Sequence, residues 1–432
     1  VVSSSTSQQS MGRIAVASLV GTTVEFYDFF IFGTAAALVF SSSFFPAMGP
    51  AAGTLAALAT FGVAFVARPF GSILFGHFGD RMGRKTTLVV TLLLMGLATV
   101  AIGLLPTAAS IGAAAPILLV VFRLCQGLAV GGEWAGAVLL AAEHAPPTRR
   151  GKYAIFPQLG PSLAFVLASG TFLITSLTLS KEQFASFGWR IPFLASALLV
   201  LLGLYVRMKI EETPAFTDLA ATKARVPLFE VARRQPREVL LAAGSVTMLF
   251  SFFYIGVTFL TAYGTNTLQL GKPAVLMIGI LGGLCFAATT IMSGLLCDRV
   301  GRRRVTTVAN AAAIAWALVL FPVLSIGTPL AFAIGMCVTL GLVGVAYGPA
   351  GAHLPELFQA RYRYTGAGLA YNLAGVLGGA VPPLAAAWLI ESFGNGAIGL
   401  YLAAMAVLSL ACSIALRETR EVAMAEPTVQ PT

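Results

Sequence analysis

Five ionisable side chains, Glu25, Asp28, Arg68, Arg123 and Glu133, stand inside long apolar runs of this sequence. On the most lenient insertion scale an ionised group at the middle of a bilayer costs about 2.5–3.5 kcal/mol, so five unpaired ones would cost roughly 15 kcal/mol, as much as a whole fold is worth. They must pair, take up a proton, or face water. Two bases against three acids leave one carboxylate over, and a carboxyl kept in apolar surroundings holds its proton more tightly, so a surplus acid is a natural proton carrier. Glu25 and Asp28 stand at i and i+3 on one helix face, where two anions repel, and one of them is expected to stay protonated. Asp28 is the preferred carrier and Glu25 the alternative. At 1.5 Å per residue, Glu25, Arg68 and Glu133 share a depth of about 18–20 Å from the basic end of their helices, with Asp28 and Arg123 beyond them. The expected pairing is therefore Arg68 with Glu133 as a lock between two helices. Asp28 with Arg123 forms the second group, exchangeable with a bound anion, Arg123 holding its carboxylate.

The elements that position these charges follow from composition. Of 432 residues, 57% are hydrophobic and 10% are Asp, Glu, Lys or Arg, whereas a soluble chain carries about a quarter charged residues. A soluble globule is excluded. A bilayer crossing takes about 20 residues, which leaves room for twelve helices and no large domain outside the membrane. Spans are expected near 14–40, 53–77, 86–105, 116–142, 153–178 and 190–207, then 238–263, 273–297, 305–325, 329–354, 364–390 and 396–416. The fold class is thus all-α membrane protein, with twelve helices in two six-helix bundles at 14–207 and 238–416. Tails at 1–13 and 417–432 and a polar linker at 208–237 complete the chain, and the polar stretch Val1 to Ser10 is expected to be disordered. The first apolar run is too long for a signal-peptide core.

Charge distribution orients the chain. With a cytoplasmic N-terminus, 22 of the 27 Lys and Arg fall in cytoplasmic segments, and only Lys181, Arg190 and Lys272 fall outside. The formal charge of +10 is thereby an orientation signal. No aromatic-interleaved basic patch supports nucleic-acid binding. Cys125, Cys285, Cys297, Cys337 and Cys412 form no CxxC or metal spacing and read as small apolar fillers. No Ser/His/Asp set or nucleotide loop is present, and His77, His144 and His353 all sit at inner helix ends, so neither an enzyme nor a cofactor is expected.

Gly76, Asp80, Arg81, Gly83, Arg84 and Lys85 after the second span match Gly294, Asp298, Arg299, Gly301, Arg302 and Arg303 after the eighth, 218 positions on (76 to 294). Both copies fit GxxxDRxGR followed by a base. Gly permits close helix approach, Asp caps or pairs at the helix end, and the bases stay outside the lipid. Two matched copies indicate internal duplication.

This pattern resembles the major facilitator superfamily, over nearly the whole chain. The resemblance implies two six-helix halves rocking around a midplane site, with spans one, four, seven and ten lining the cavity. Arg123, Gln126 and Gly127 match the RxxQG pattern of proton-coupled members. A narrower similarity is to the metabolite:H⁺ symporters, which carry shikimate, α-ketoglutarate, citrate and proline or betaine. It rests on Glu25, Tyr27 and Asp28; on Ala67, Arg68, Pro69 and Gly71; and on Gly131, Gly132, Glu133 and Trp134. Further matches are Trp189, Arg190, Pro192 and Phe193, and the run Glu211 to Phe216. The stretch Thr54 to Gly83 is most like the shikimate-type carriers, and Phe26 and Ala135 depart from the usual pattern.

What the resemblance implies is a proton-coupled importer of a small organic acid in the cytoplasmic membrane, functional as a monomer, with both termini inside. Expected substrate contacts are Arg123, Tyr27, Gln126, Gln158, Tyr254, Tyr347, Tyr371 and Asn372. An inner gate of ion pairs is expected among Asp80, Arg81, Arg84, Glu143, Arg149, Arg150, Asp298, Arg299, Arg302, Glu356 and Arg363, opening when the inside opens. Rival readings are a symporter for a zwitterionic osmolyte or amino acid, a sugar porter, and a drug/H⁺ antiporter. Leu416 to Arg420 lacks the Pro of the sugar-porter segment, and the fifth span keeps only Gly160 and Pro161 of the exporter pattern. No heptads follow Glu421, so osmotic sensing is not expected.

Overall fold

A computed structural model describes residues 11–82, 84–131, 133–145, 149–208, 231, 233–359 and 363–420. Side chains at 76–86 are not described, nor are those at 142–144, so Asp80, Arg81, Arg84 and Glu143 of the expected gate lie outside the described residues. The same holds for the chain tails and for nearly all of the linker.

Every described element is helical. Nine helices are long and apolar enough to cross a bilayer among the described residues, and Val89–Leu104 and Ala114–Val130 are shorter apolar helices. The eleventh span is assembled from Arg363–Gly375, a π turn at Val376–Ala380, and Val381–Phe393, which brings the spans to the expected twelve.

Besides the eleventh, three expected spans are not the uninterrupted helices that their hydropathy suggests. The fourth is broken at Gly131 into Ala114–Val130 and Glu133–His144. The seventh is jointed at Val246, between Pro236–Ser245 and Thr247–Tyr254, and carries π turns at Ile255–Phe259 and Tyr263–Thr267. The first runs from Met11–Ala35 through a π turn at Ala36–Phe40. Such wide turns recur at functional sites because they re-aim side chains within a helix.

Burial ranks the spans. The windows of the first and seventh are 89% buried, against 33% for the sixth and twelfth. Helices apolar on every side and buried on every side form the centre, and those with an exposed apolar face meet lipid.

Close packing inside each half depends on paired glycines. A Cβ on Gly127 would stand 2.3 Å from the Ala64 carbonyl oxygen of span two, and one on Gly131 would stand 2.1 Å from that of Arg68. In the second half a Cβ on Gly344 would stand 2.6 Å from the Phe286 oxygen of span eight, and one on Gly348 would stand 2.7 Å from that of Thr290. A GxxxG in span four against span two is thus repeated by one in span ten against span eight. This is the packing counterpart of the repeated loop, and small residues are what let membrane helices approach.

The halves meet through spans five and eight and through spans two and eleven. Towards the basic end, Gly151 lies against Gly294 and Cys297. Towards the other end, Gly62 lies against the Ala380 backbone and Gly33 against Thr258. Contacts at both ends leave small enclosed cavities between the halves.

Candidate functional site

Aromatic rings fill the centre. Phe29 of span one packs on Phe61 at 4.6 Å and on Phe65 at 5.2 Å, and Phe65 packs edge-on against Tyr254 of span seven at 4.5 Å. The arrangement joins the two halves through ring contacts worth about 0.5–1.5 kcal/mol each beyond their area.

Two guanidinium groups sit on these rings. Arg123 lies 4.1 Å from the Phe29 centroid, 4.2 Å from Phe32 and 4.9 Å from Phe61. Arg68 lies 4.4 Å from Phe65 and 4.8 Å from the same Phe29. One ring therefore faces two cations. Cation–π attraction offsets part of their desolvation, but a carboxylate within ion-pair distance of either is lacking among the described residues.

Arg123 is nevertheless well held. Its Nη1 donates to Gln126 Oε1 at 2.9 Å and its Nη2 to the Phe61 carbonyl at 3.4 Å. Gln126 Nε2 donates to Thr99 Oγ1 at 2.7 Å, and Thr99 donates to Asp28 Oδ2 at 2.9 Å. The expected direct group of Asp28 and Arg123 is thus replaced by a chain of four residues on three spans. Asp28, fully buried, faces spans three and six within its own half, not the space between halves.

Arg68 is different. Its Nε and Nη2 are buried without a hydrogen-bond partner. The side chain lines a small cavity together with Glu25, Phe26, Val130, Gly131, Trp134, Gly368, Tyr371 and Asn372. Its expected partner Glu133 instead accepts a hydrogen bond from Thr91 at 2.6 Å, on span three. The lock between Arg68 and Glu133 is not formed, and Glu133 is engaged by span three.

A second small cavity shares Phe26 and Tyr371 with the first and is otherwise lined by Pro161, Leu249, Phe250, Phe253, Tyr254, Phe286, Val343 and Tyr347. Its walls are almost wholly apolar. The Tyr254 hydroxyl is buried there beside the Arg68 guanidinium, short of a well-formed hydrogen bond. The Tyr347 and Tyr371 hydroxyls lie 3.3 Å apart.

Four expected substrate contacts are otherwise engaged. Tyr27 points to Thr171 at 3.3 Å and to the Pro192 carbonyl at 3.4 Å, away from both cavities. Gln126 belongs to the Asp28 chain. Gln158 accepts from Trp134 Nε1 at 3.0 Å and donates to the Tyr347 carbonyl at 2.8 Å, tying the halves together. Asn372 lines the first cavity but donates to Ser72 Oγ and to the Gly131 carbonyl, both at 2.8 Å.

Sequence reasoning passed over Thr99, Thr91, Trp134 and Phe29 as site residues. Thr91, Met95 and Thr99 stand every fourth residue on one face of span three, and hydroxyls repeated at that spacing in an apolar helix were the available signal. Trp134, quoted only for the family pattern, stacks on Tyr371 at 3.7 Å and 4°.

At the basic end the halves are joined by an ionic network. Glu356 of span ten meets Arg150 of span five at 3.5 Å and Arg302 of span nine at 3.3 Å. Asp298 meets Arg302 at 3.0 Å and accepts the Gly151 and Lys152 amides, at 3.0 and 2.9 Å, capping span five from the other half. Of the expected pair Arg149 and Arg150 only Arg150 joins the network; Arg149 is exposed, as is Arg299. Arg363 donates to the Pro355 carbonyl at 3.2 Å. A segment passed over as a gate element completes the network: Thr419 donates to Glu356 at 2.6 Å, and Glu418 accepts the Arg302 and Arg303 amides at 2.9 and 3.1 Å. Partial burial raises the proton affinity of Glu418, but the amides of Arg302, Thr419 and Arg420 outweigh it and hold the carboxyl below its ordinary range.

Comparison with known proteins follows the same lines. A family model described as Major Facilitator Superfamily matches residues 18–383. The inner membrane metabolite transport protein YhjE of Escherichia coli (strain K12) is 47% identical over 418 residues, 95% of each chain. The shikimate transporter of the same strain is 40% identical over 418 residues, 94% of this chain and 95% of the other. Among solved structures, a D-xylose-proton symporter superposes with a TM-score of 0.73 at 19% identity, covering 95% of this chain and 98% of that one, a likeness of fold.

Proposed function

From the premise that the chain belongs to the major facilitator superfamily, and within it to the metabolite:H⁺ symporters, we propose that it imports a small organic acid across the cytoplasmic membrane with protons, by alternating access. It is a metabolite transporter and not an enzyme. The observation that carries the reading is Arg68: a buried guanidinium with two unused donors, lining a cavity between the halves. A carboxylate is the group that satisfies both donors at once, because Arg presents them as a planar fork. Arg68 thus takes the anchoring role that sequence gave to Arg123.

The proton site in this reading is Asp28, with Glu25 beside the anion as the alternative. Bound together, proton and anion neutralise the centre, which lowers the cost of turning the site through the membrane. The network of Glu356, Arg150, Asp298 and Arg302 acts as the inner gate and parts when that side opens. Both termini lie on this side, and the protein acts as a monomer.

A second reading has one observation in its favour. The rings of Phe250, Phe253, Tyr254 and Tyr347 around the second cavity suit a quaternary ammonium opposite the Arg68 carboxylate site, which is the chemistry of a zwitterionic osmolyte. Uptake into proteoliposomes separates the readings, using shikimate, α-ketoglutarate, citrate, benzoate, proline, glycine betaine and glucose with and without an inward proton gradient. Gradient-driven accumulation of one of the first four supports the organic acid. Accumulation of proline or betaine alone selects the second reading, and of glucose alone overturns both.

A further inference from the structure

Thr99 Oγ1 lies 2.9 Å from two acceptors, the Asp28 carboxyl and the Met95 carbonyl, and it also accepts from Gln126 at 2.7 Å. A hydroxyl has one proton, so it can serve only one of the two acceptors at a time. An ionised carboxylate wins that competition, since charge-assisted hydrogen bonds are about twice as strong as neutral ones. When Asp28 takes up a proton the advantage disappears, and the carbonyl one turn back in span three becomes the better acceptor.

We infer that Thr99 is the positioning residue that transmits protonation of Asp28 to the guanidinium of Arg123. With Asp28 ionised, every donor in the chain points the same way: Arg123 to Gln126, Gln126 to Thr99, Thr99 to Asp28. A cation at one end and an anion at the other polarise the chain and hold it taut. Protonation of Asp28 turns the Thr99 hydroxyl to Met95, removes the anchoring charge and leaves Gln126 a weaker acceptor to hold. Arg123, on the ring it shares with Arg68, then has its positive charge uncompensated within this chain, and the centre favours an anion. Proton binding first and anion binding second is the order this geometry imposes.

Among the described residues the titratable groups around Asp28 are few. Tyr27 and Glu25 are on its own helix, and Tyr27 is directed to Thr171 of span five. Span four presents Arg123 through Gln126. Span six presents Ser196, whose hydroxyl donates to the Phe193 carbonyl at 2.8 Å and is a second hydrogen-bonding neighbour of Asp28 beside Thr99. The inference rests on the reading of Asp28 as the proton carrier, and its test separates the two.

The test is infrared titration of the protonated-carboxyl band of the full chain in lipid nanodiscs, assigned to Asp28 by its loss in Asp28→Asn. Thr99→Val keeps the shape and removes the hydroxyl, and Thr99→Ala replaces it should the valine variant fail to fold. Removing a donor from the ionised form raises proton affinity by about tenfold, so the midpoint moves about one pH unit upward, and Thr99→Ser restores it. A midpoint unchanged in both hydroxyl-less variants overturns the role of Thr99 and leaves Asp28 standing. A shift that Thr99→Ser fails to reverse assigns the effect to packing and likewise overturns it. Absence of any titrating band removed by Asp28→Asn overturns the proton reading itself.

Discussion

Arg68 and Arg123 show what a residue type reveals and what it conceals. Both are cations in apolar helices, and sequence alone reads Arg123 as functional and Arg68 as half of a lock between helices. Their depths follow from a rise of 1.5 Å per residue, but their directions depend on about 100° of rotation per residue and on where a helix breaks. Glu133, expected at the depth of Arg68, is engaged by Thr91 of span three. Which residues are charged in apolar runs was legible in the sequence, and the direction each side chain takes was not. Arg68 keeps Nε and Nη2 unused, while Arg123 spends Nη1 on Gln126 and Nη2 on Phe61 and keeps only Nε unused. Arg68→Met is therefore expected to weaken binding of the transported acid by about 10–100-fold, the range for losing charge-assisted hydrogen bonds, as read by equilibrium binding to purified protein. Asp28→Asn is expected to abolish accumulation driven by a proton gradient while substrate exchange at equal pH persists. Unaltered accumulation removes Asp28 from the proton role.

At the scale of elements, hydropathy located twelve spans because a bilayer crossing needs a long apolar run whatever its neighbours are. It could not locate the joint at Val246 or the π turns of spans one, seven and eleven, which follow from contacts between helices. The glycines are intermediate. Their spacing in spans four and ten is visible as GxxxG, yet the partner each faces is not. Gly127→Ala places a methyl group 2.3 Å from the Ala64 oxygen, so spans two and four must move apart. Overpacking of this kind costs about 1–3 kcal/mol, and the variant is expected to unfold at a temperature lower by several degrees in a detergent thermal-stability assay. Because Arg68 is on the helix that moves, binding should weaken as well.

For the whole molecule, the two ends of the interface differ in chemistry. The end bearing the repeated loop is closed by charge, and the other by rings and small residues. Glu356 joins both halves and the segment after span twelve, a convergence that no local pattern announces, since its partners Arg150, Arg302 and Thr419 are far apart in sequence. Glu356→Gln is expected to favour the state open at that end, seen as a longer spin-label distance between spans five and eight. Glu418 adds a pH dependence of known sign. Its carboxyl is held below the ordinary range, so its clasp on the Arg302 and Arg303 amides is present above the ordinary carboxylate range and lost as pH falls through the lowered value. A lower hydrogen-exchange protection factor at those two amides in acid, after correction for the slower intrinsic exchange there and restored on neutralisation, is the expected result.

The central claim is that an acid and a proton cross together, with Arg68 holding the acid. Proteoliposomes loaded with a pH-sensitive dye measure this directly when a transported acid is added outside in the absence of a proton gradient. The account requires acidification of the interior in step with acid uptake, lost in Arg68→Met. Uptake without acidification, alkalinisation of the interior, or full acidification in Arg68→Met would contradict it.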